Sequence, residues 1–430
     1  MKFQNRLPLI LTLILAVIVR IYGINWDQWF HLHPDERMLI MVTERIRLFE
    51  NMNPDFFNYG SLPVYLLRFF QPNGDYQSML VWGRLLSVFF DVLTVLLVSK
   101  IAFRLTGKYS LSIASAFFYA VAFFPIQNSH FFIVDVFLTF FVTLLVFNLL
   151  NFLKKPSLTR TCILGINFAA MLATKFTSII FLPIIAAVLI YKYHRSIIQT
   201  IKILFIYLLT SFVFFYVFMP YAIIEFEQFV SEVTAQIKMN SDPYIFPYTL
   251  QYVTSLPYIY YIKNIVFWGF GPVLSALALC GILHFVRSIF AGKLNKDKII
   301  FLLIYIFYFL VIGRSAVKFM RYLLPVYPLL SILSGYGLYA IARNGRKLLA
   351  YIIVFFVILW SFMFINIYSR PHTRIAATYW INENIPSGST IAVEHWDDRL
   401  PLEGSEKFII EELTLYDLPD DDAKWSLLNE

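Results

Sequence analysis

Charge and cysteine are what this chain has least of. Asp, Glu, Lys and Arg make up 14% of its 430 residues, while 59% are hydrophobic and the mean hydropathy is +0.68. A soluble protein of this length covers its surface with far more charge, so that class is excluded. The two cysteines, Cys162 and Cys280, both sit inside apolar runs. They read as packing residues, which excludes a disulfide framework. Heptads, low-complexity tracts and internal repeats are missing too, so coiled coils and solenoids drop out. The first apolar run, "LPLILTLILAVIV", follows Lys2 and Arg6 with no small-x-small cleavage site after it, and reads as an uncleaved signal anchor. The formal charge of +8 does not indicate nucleic acid. In a chain this apolar, the placement of Lys and Arg in the loops carries the information.

What is present is a series of long apolar runs. Only helices or closed barrels satisfy the backbone in lipid, and runs of this length exclude a barrel, so the chain is expected to be an all-α polytopic membrane protein. With roughly twenty apolar residues per span, about eleven spans are expected. They lie near 7–24, 79–103, 110–127, 131–153, 161–174, 176–191, 203–222, 263–289, 299–313, 322–342 and 348–368. Alternate loops are basic: Lys100, Arg104 and Lys108; Lys154, Lys155 and Arg160; Lys192, Arg195 and Lys202; Arg287, Lys293, Lys296 and Lys298; Arg343, Arg346 and Lys347. This alternation places the N-terminus in the cytoplasm and the tail from 369 outside a cytoplasmic membrane. The expected division is a transmembrane module over 1–368 and an extracytoplasmic tail over 369–430.

Three outer regions are more than connectors: 25–78, the aromatic- and proline-rich 223–262, and the tail. In the first, "HLHPDER" (31–37) sets Pro34 and two acids at a helix start, followed by Met38, Met41, Val42, Ile46 and Phe49 at helical spacing. That pattern suits a surface helix. In the tail, "RIAATYWINENI" reads as a helix and "STIAVEH" as a strand, a small α/β unit.

Cations on the outer side oppose the positive-inside bias and invite a reason. "GRSAVKFMRYLLPVYP" (313–328) puts Arg314, Lys318 and Arg321 at i, i+4 and i+7, one face if the segment is helical, with Tyr322 beside them. Such a cluster suits a phosphate headgroup; the plainer reading is snorkelling. Lys175 falls at an outer turn, Asp135 just inside the outer end of the fourth span, and Arg84 opens the second span with Asp91 seven residues deeper. Asp91 is too far from Arg84 for easy contact and reads as a structural polar group in the bundle. Asp35 and Glu36 would favour a helix N-terminus by themselves. Facing outer cations, they also have the ingredients for glycosyl transfer, a carboxylate base for an acceptor hydroxyl and cations for a departing phosphate. A divalent metal on His31, His33 and Asp35, with His130 on the same side, would need an extended stretch, and Pro34 breaks that alternation.

These motifs resemble the GT-C glycosyltransferases that use lipid-phosphate sugars, above all family 39, which holds protein O-mannosyltransferases and aminoarabinose transferases acting on lipid A. The resemblance runs through "HPDER", "YGSLPVYLL", "GRLLSVFFD", "VDVFLTFF", "TKFTS", "TLQYVTSLPYIYYIKNIVFWGFGP", "KFMRYLLPVYP" and "WINENIPSGSTIAVEHWDDRLP". It implies a polyprenyl-phosphate-linked sugar donor, an inverting reaction, no nucleotide-binding domain and no certain cofactor. Asp35 matches the catalytic base, with Glu36 its neighbour. Asp135 matches a second acidic position near the site; Lys175, Lys318 and Arg321 match positions that would hold the donor phosphate, with Tyr322 beside them, and Arg84 matches more weakly. His33 and Arg314 join the substrate-binding set by position. The acceptor is left open among lipid, protein and polysaccharide. The resemblance also implies an outer domain longer than the tail that ends in "DLPDDDAKWSLLNE". The "HPDE" string is also similar to the family 22 mannosyltransferases that build lipid-linked glycans, the second enzyme reading. A secondary transporter is the alternative outside enzymes, although it would show paired repeats and midplane charges.

Overall fold

A computed structural model describes residues 6–291, 295–394, 399–415 and 421–429. Lys293 and residues 395–398, of which His395 ends the expected tail strand, lie outside the described residues. The chain opens with α1 (Leu7–Ile21), followed by α2 (Pro34–Arg45) and α3 (Leu62–Phe70) in the first long loop. The bundle continues with α4 (Tyr76–Thr106), α5 (Tyr109–Val121), α6 (Phe123–Ser129), α7 (Val134–Lys154) and α8 (Leu158–Leu172). A 3-10 turn, Phe176–Phe181, leads into α9 (Leu182–Tyr193) and then α10 (Ile197–Phe218). The second long loop holds α11 (Tyr221–Ile224) and α12 (Phe226–Ser241), before α13 (Ile259–Asn264), α14 (Pro272–Phe290) and α15 (Lys296–Ile312). After a 3-10 segment, Met320–Val326, come α16 (Tyr327–Arg343) and α17 (Lys347–Ile365).

The protein is multi-pass. Every expected span contains a helix, yet among the described residues seven helices are long and apolar enough to cross a membrane. The number is eight if α5 and α6, bent by 55° at their junction, count as one span. The expected eleven is not reached on length and composition, because α1 and α8 are short and α15 begins with Lys296-Asp297-Lys298.

Two features hold the bundle. Gly281 of α14 lies under the Leu333 carbonyl and Gly337 of α16 under that of Leu277; a Cβ would come within 1.8 and 2.3 Å of those oxygens. Small residues allow such close helix contact where lipid provides no hydrophobic drive. Deeper in, Asp91 accepts from Arg20 Nε and from the Tyr119 hydroxyl, both at 2.6 Å, while Arg20 also donates to the Ala120 carbonyl at 2.9 Å. Asp91 is thus a structural polar contact, paired with Arg20 of α1 rather than with Arg84. The tail contains α18 (Thr373–Asn384), β1 (Thr390–Glu394), β2 (Ile409–Leu413) and α19 (Asp421–Asn429); the two strands pair in parallel, with Thr390 opposite Ile409.

Candidate active site

Pro34 opens α2, and adjacent helical positions point about 100° apart. This splits the two acids. Asp35 faces the open side, about one-fifth exposed, whereas Glu36 is fully buried. Glu36 Oε1 accepts from Arg84 Nε at 2.9 Å and from the Phe132 amide at 2.8 Å, and its Oε2 accepts from Arg84 Nη2 at 2.7 Å. Arg84 completes its fork on Asp27, at 2.9 and 2.7 Å, and on the Ile24 carbonyl at 2.6 Å. Burial pushes the Asp27 carboxyl up, but the Arg84 hydrogen bonds and charge outweigh it and hold it below its usual range. One guanidinium therefore ties the turn after α1, the start of α2 and the loop before α7 to α4. Glu36 and Arg84 brace the site and do not face its open side.

Beside Asp35 lies a line of alternating charge drawn from four elements. Arg321, in the 3-10 segment, forms an ion pair with Asp35 at 2.8 Å and lies 3.7 Å from Asp135, in the first turn of α7. Asp135 in turn accepts from Lys175 at 2.8 Å. Lys175 sits 4.4 Å from the centre of the Tyr322 ring, and Arg321 stacks at 4.4 Å on Phe319. Two cations alternate with two carboxylates, so the set is neutral as it stands.

The "YGSLP" stretch explains how Lys175 is held. The Gly60 amide donates to the Thr174 carbonyl at 3.0 Å and the Leu62 amide to that of Ala173 at 2.9 Å. A Cβ on Gly60 would lie 2.0 Å from the Ala173 oxygen, so only glycine fits this approach. The same docking delivers Tyr59 to the site, a residue that sequence reasoning missed even though its motif was noted. Burial, with the charge of Asp35 adding to it, pushes the Tyr59 hydroxyl well above its usual range, so it remains an O–H donor.

The remaining expected residues are not part of this charge line. Residues 313–319 form a loop rather than a helix, so Arg314, Lys318 and Arg321 share no face. The loop's backbone is bonded outward: the Ala316 and Val317 amides donate to the Asn240 carbonyl, and the Tyr258 amide donates to Gly313. Lys318 is buried and donates to the Ala316 carbonyl at 2.7 Å, and burial pushes its pKa down. Arg314 is exposed and lines a cavity. His33 leans on Phe131 at 4.7 Å with Nδ1 buried and unpartnered; burial pushes its imidazole down to about 4, against the pull of Asp35. His31 leans on Tyr76 at 4.5 Å. Among the described residues no three His, Cys, Asp or Glu side chains gather as metal ligands.

Of the charge line, Lys175 borders a partly enclosed cavity of about 620 Å³. Its polar lining includes Tyr59, Lys175, Arg314 and Tyr322, and apolar residues such as Ile180, Ile237 and Ile312 line its walls. A phosphate can sit at the polar end with an apolar chain along the walls.

Residues 77–224, which include Arg84, Asp135 and Lys175, match the dolichyl-phosphate-mannose-protein mannosyltransferase family. No curated protein matches the chain by sequence. Among solved structures, ArnT from Cupriavidus metallidurans bound to undecaprenyl phosphate superposes with a TM-score of 0.61 at 13% identity, over 98% of this chain and 88% of that one. The Archaeoglobus fulgidus oligosaccharyltransferase gives 0.55 at 13% identity, over 93% of this chain. The chain spans 62% of that enzyme's length. At these identities the likeness is one of fold. The chain thus has the fold of ArnT and of the archaeal oligosaccharyltransferase, and its residues 77–224 are similar to the dolichyl-phosphate-mannose-protein mannosyltransferase family.

Proposed function

We propose that the protein transfers a sugar from a polyprenyl-phosphate donor to an acceptor hydroxyl or amine, with Asp35 as the general base. The observation that carries this reading is the meeting of Asp35 with Arg321 at 2.8 Å, next to the Asp135–Lys175 pair, whose Lys175 borders a largely apolar cavity. The base and the phosphate-holding cations are then close enough to act on one bond. Asp35 takes the acceptor proton, and the acceptor atom forms the new bond to the anomeric carbon with inversion. The bond from that carbon to the phosphate oxygen breaks, and the phosphate leaves with one more negative charge. Lys175 and Arg321 offset that charge, and the Tyr59 hydroxyl is placed to donate to it.

The undecaprenyl phosphate held by ArnT supports a long-chain lipid donor here. The site belongs to the module over 1–368 and faces outside, with the tail over 369–430 on the same side, as the basic alternate loops support. Asp35 alone takes the base role, because Glu36 is wholly occupied by Arg84 and Phe132. The test is sugar transfer from a panel of polyprenyl-phosphate sugars to mixed acceptors, with wild type beside Asp35→Asn at equal folded amounts. A loss of roughly a hundredfold or more supports the base role; equal turnover refutes it.

A further inference from the structure

The turn from Gly23 to His31 leads directly into "HPDER" and is held by the tail. The Trp26 indole N–H donates to the Arg370 carbonyl at 2.7 Å, and the Tyr379 hydroxyl donates to Gln28 Oε1 at 2.8 Å. Trp26 also meets Tyr368 edge-on at 5.3 Å and leans on His372 at 4.7 Å. Gly23, with a φ of +73°, lies so close to Tyr368 that a Cβ would come 2.5 Å from that residue's own. Between these contacts and the catalytic turn, the backbone is in an unfavourable state. Gln28, Trp29 and His31 all take positive φ, at 48°, 65° and 57°. Three non-glycine residues in the left-handed region within four positions persist only where surrounding structure enforces them. Inside the same turn, Asp27 grips Arg84, which grips Glu36, the residue next to Asp35.

We propose that the docking of residues 370–379 on this turn sets the position of Asp35, which makes Trp26 a positioning residue acting across the junction between bundle and tail. This rests on the glycosyl-transfer reading of the site. The contacts run without a gap: tail backbone to Trp26, the strained turn to Asp27, Arg84 to Glu36, and one peptide unit to Asp35. Lys175 is held by Asp135 and the Gly60 contact, and Arg321, on the 3-10 segment, keeps Asp135 at 3.7 Å as a partner besides Asp35. Loosening the turn therefore affects the base and spares the phosphate site.

The test uses the full chain and two variants, Trp26→Phe, which keeps a ring but removes the N–H, and Tyr379→Phe, which removes only a hydroxyl. Three quantities are measured: hydrogen exchange over residues 27–37, kcat for transfer, and affinity for undecaprenyl phosphate. In Trp26→Phe, exchange over 27–37 is expected to rise and kcat to fall about five- to tenfold, the effect of one lost hydrogen bond. Undecaprenyl phosphate affinity stays within twofold. Tyr379→Phe moves exchange and kcat the same way by less. Unchanged exchange in both variants overturns the proposal, as does a local rise with kcat unchanged. A rise throughout the bundle together with weakened undecaprenyl phosphate binding overturns it too, since that marks general disruption. If wild type transfers no sugar, the proposed function fails, while the exchange measurement still decides whether the tail sets this turn.

Discussion

Replacing Arg84 with methionine removes the one cation that serves two buried carboxylates. Asp27 is 2% and Glu36 0% exposed, and Arg84 meets them with four hydrogen bonds between 2.7 and 2.9 Å. Methionine fills a similar volume, so little packing is lost and the effect isolates the charge. Taking away one partner of a buried ion pair costs about 3–5 kcal/mol, because a desolvated charge is left behind. Here two are left, and the cost is expected at the upper end of that range. The sign of the pH dependence is the sharper test. In wild type the Asp27 carboxyl is held below its unfolded value, so its contribution is present at neutral pH and is lost as pH falls through the folded value. In Arg84→Met both carboxyls would titrate above their unfolded values. Their contribution is then present at low pH and is lost as pH rises. Thermal unfolding in detergent from pH 4 to 8 should show acidification narrowing the gap between variant and wild type. Asp27→Asn combined with Glu36→Gln should recover much of the loss at neutral pH. A gap that is constant or widens on acidification, or a double neutral variant no better than Arg84→Met alone, would refute this account of the brace.

Lys175→Met should weaken undecaprenyl phosphate binding about tenfold or more, whereas Lys318→Met, which removes an ammonium bonded to its own loop, should change it less than threefold; equal effects would return Lys318 to the donor site. Gly60→Ala should abolish transfer while the protein still inserts, because its Cβ would lie 2.0 Å from the Ala173 oxygen and must displace the turn holding Lys175; activity within a factor of two would show that the turn gives way freely. His33 titrates near 4 in the fold, so its contribution to stability is full above its unfolded value near 6.5 and falls as pH drops from there toward 4. His33→Gln should flatten that acid slope in thermal unfolding, and an unchanged slope would mean that His33 protonates as freely as in the unfolded chain.

The acidic turn could be singled out from the sequence because its signals are local, whereas the choice of Asp35 over Glu36 rested on the family resemblance. Proline at the first helical position, acids in the first turn and an amphipathic run behind them all lie within a few residues. The opposite fates of Asp35 and Glu36 were beyond reach, since they depend on Arg84, which follows Glu36 by 48 residues and arrives on another helix. The Arg314, Lys318 and Arg321 set was misplaced for a related reason. Helical spacing was a fair reading of "GRSAVKFMR", but Asn240 and Tyr258, from a different loop, take up the backbone groups that a helix would have used. Tyr59 gave no signal beyond its place before Gly60, because a tyrosine near a membrane surface is ordinarily an interfacial anchor.

The sequence by itself determined that this protein is helical, crosses the membrane several times, and carries an acidic turn and stray cations in the segments between its apolar runs. Those properties follow from transfer free energies that add along the chain and from steric preferences within one helical turn. Tertiary structure alone decided which carboxylate stays available, which cations meet it, and how the tail bears on the turn before it. Buried charges persist only where a partner with matching geometry is brought to them, and that partner is chosen by packing among segments distant in sequence.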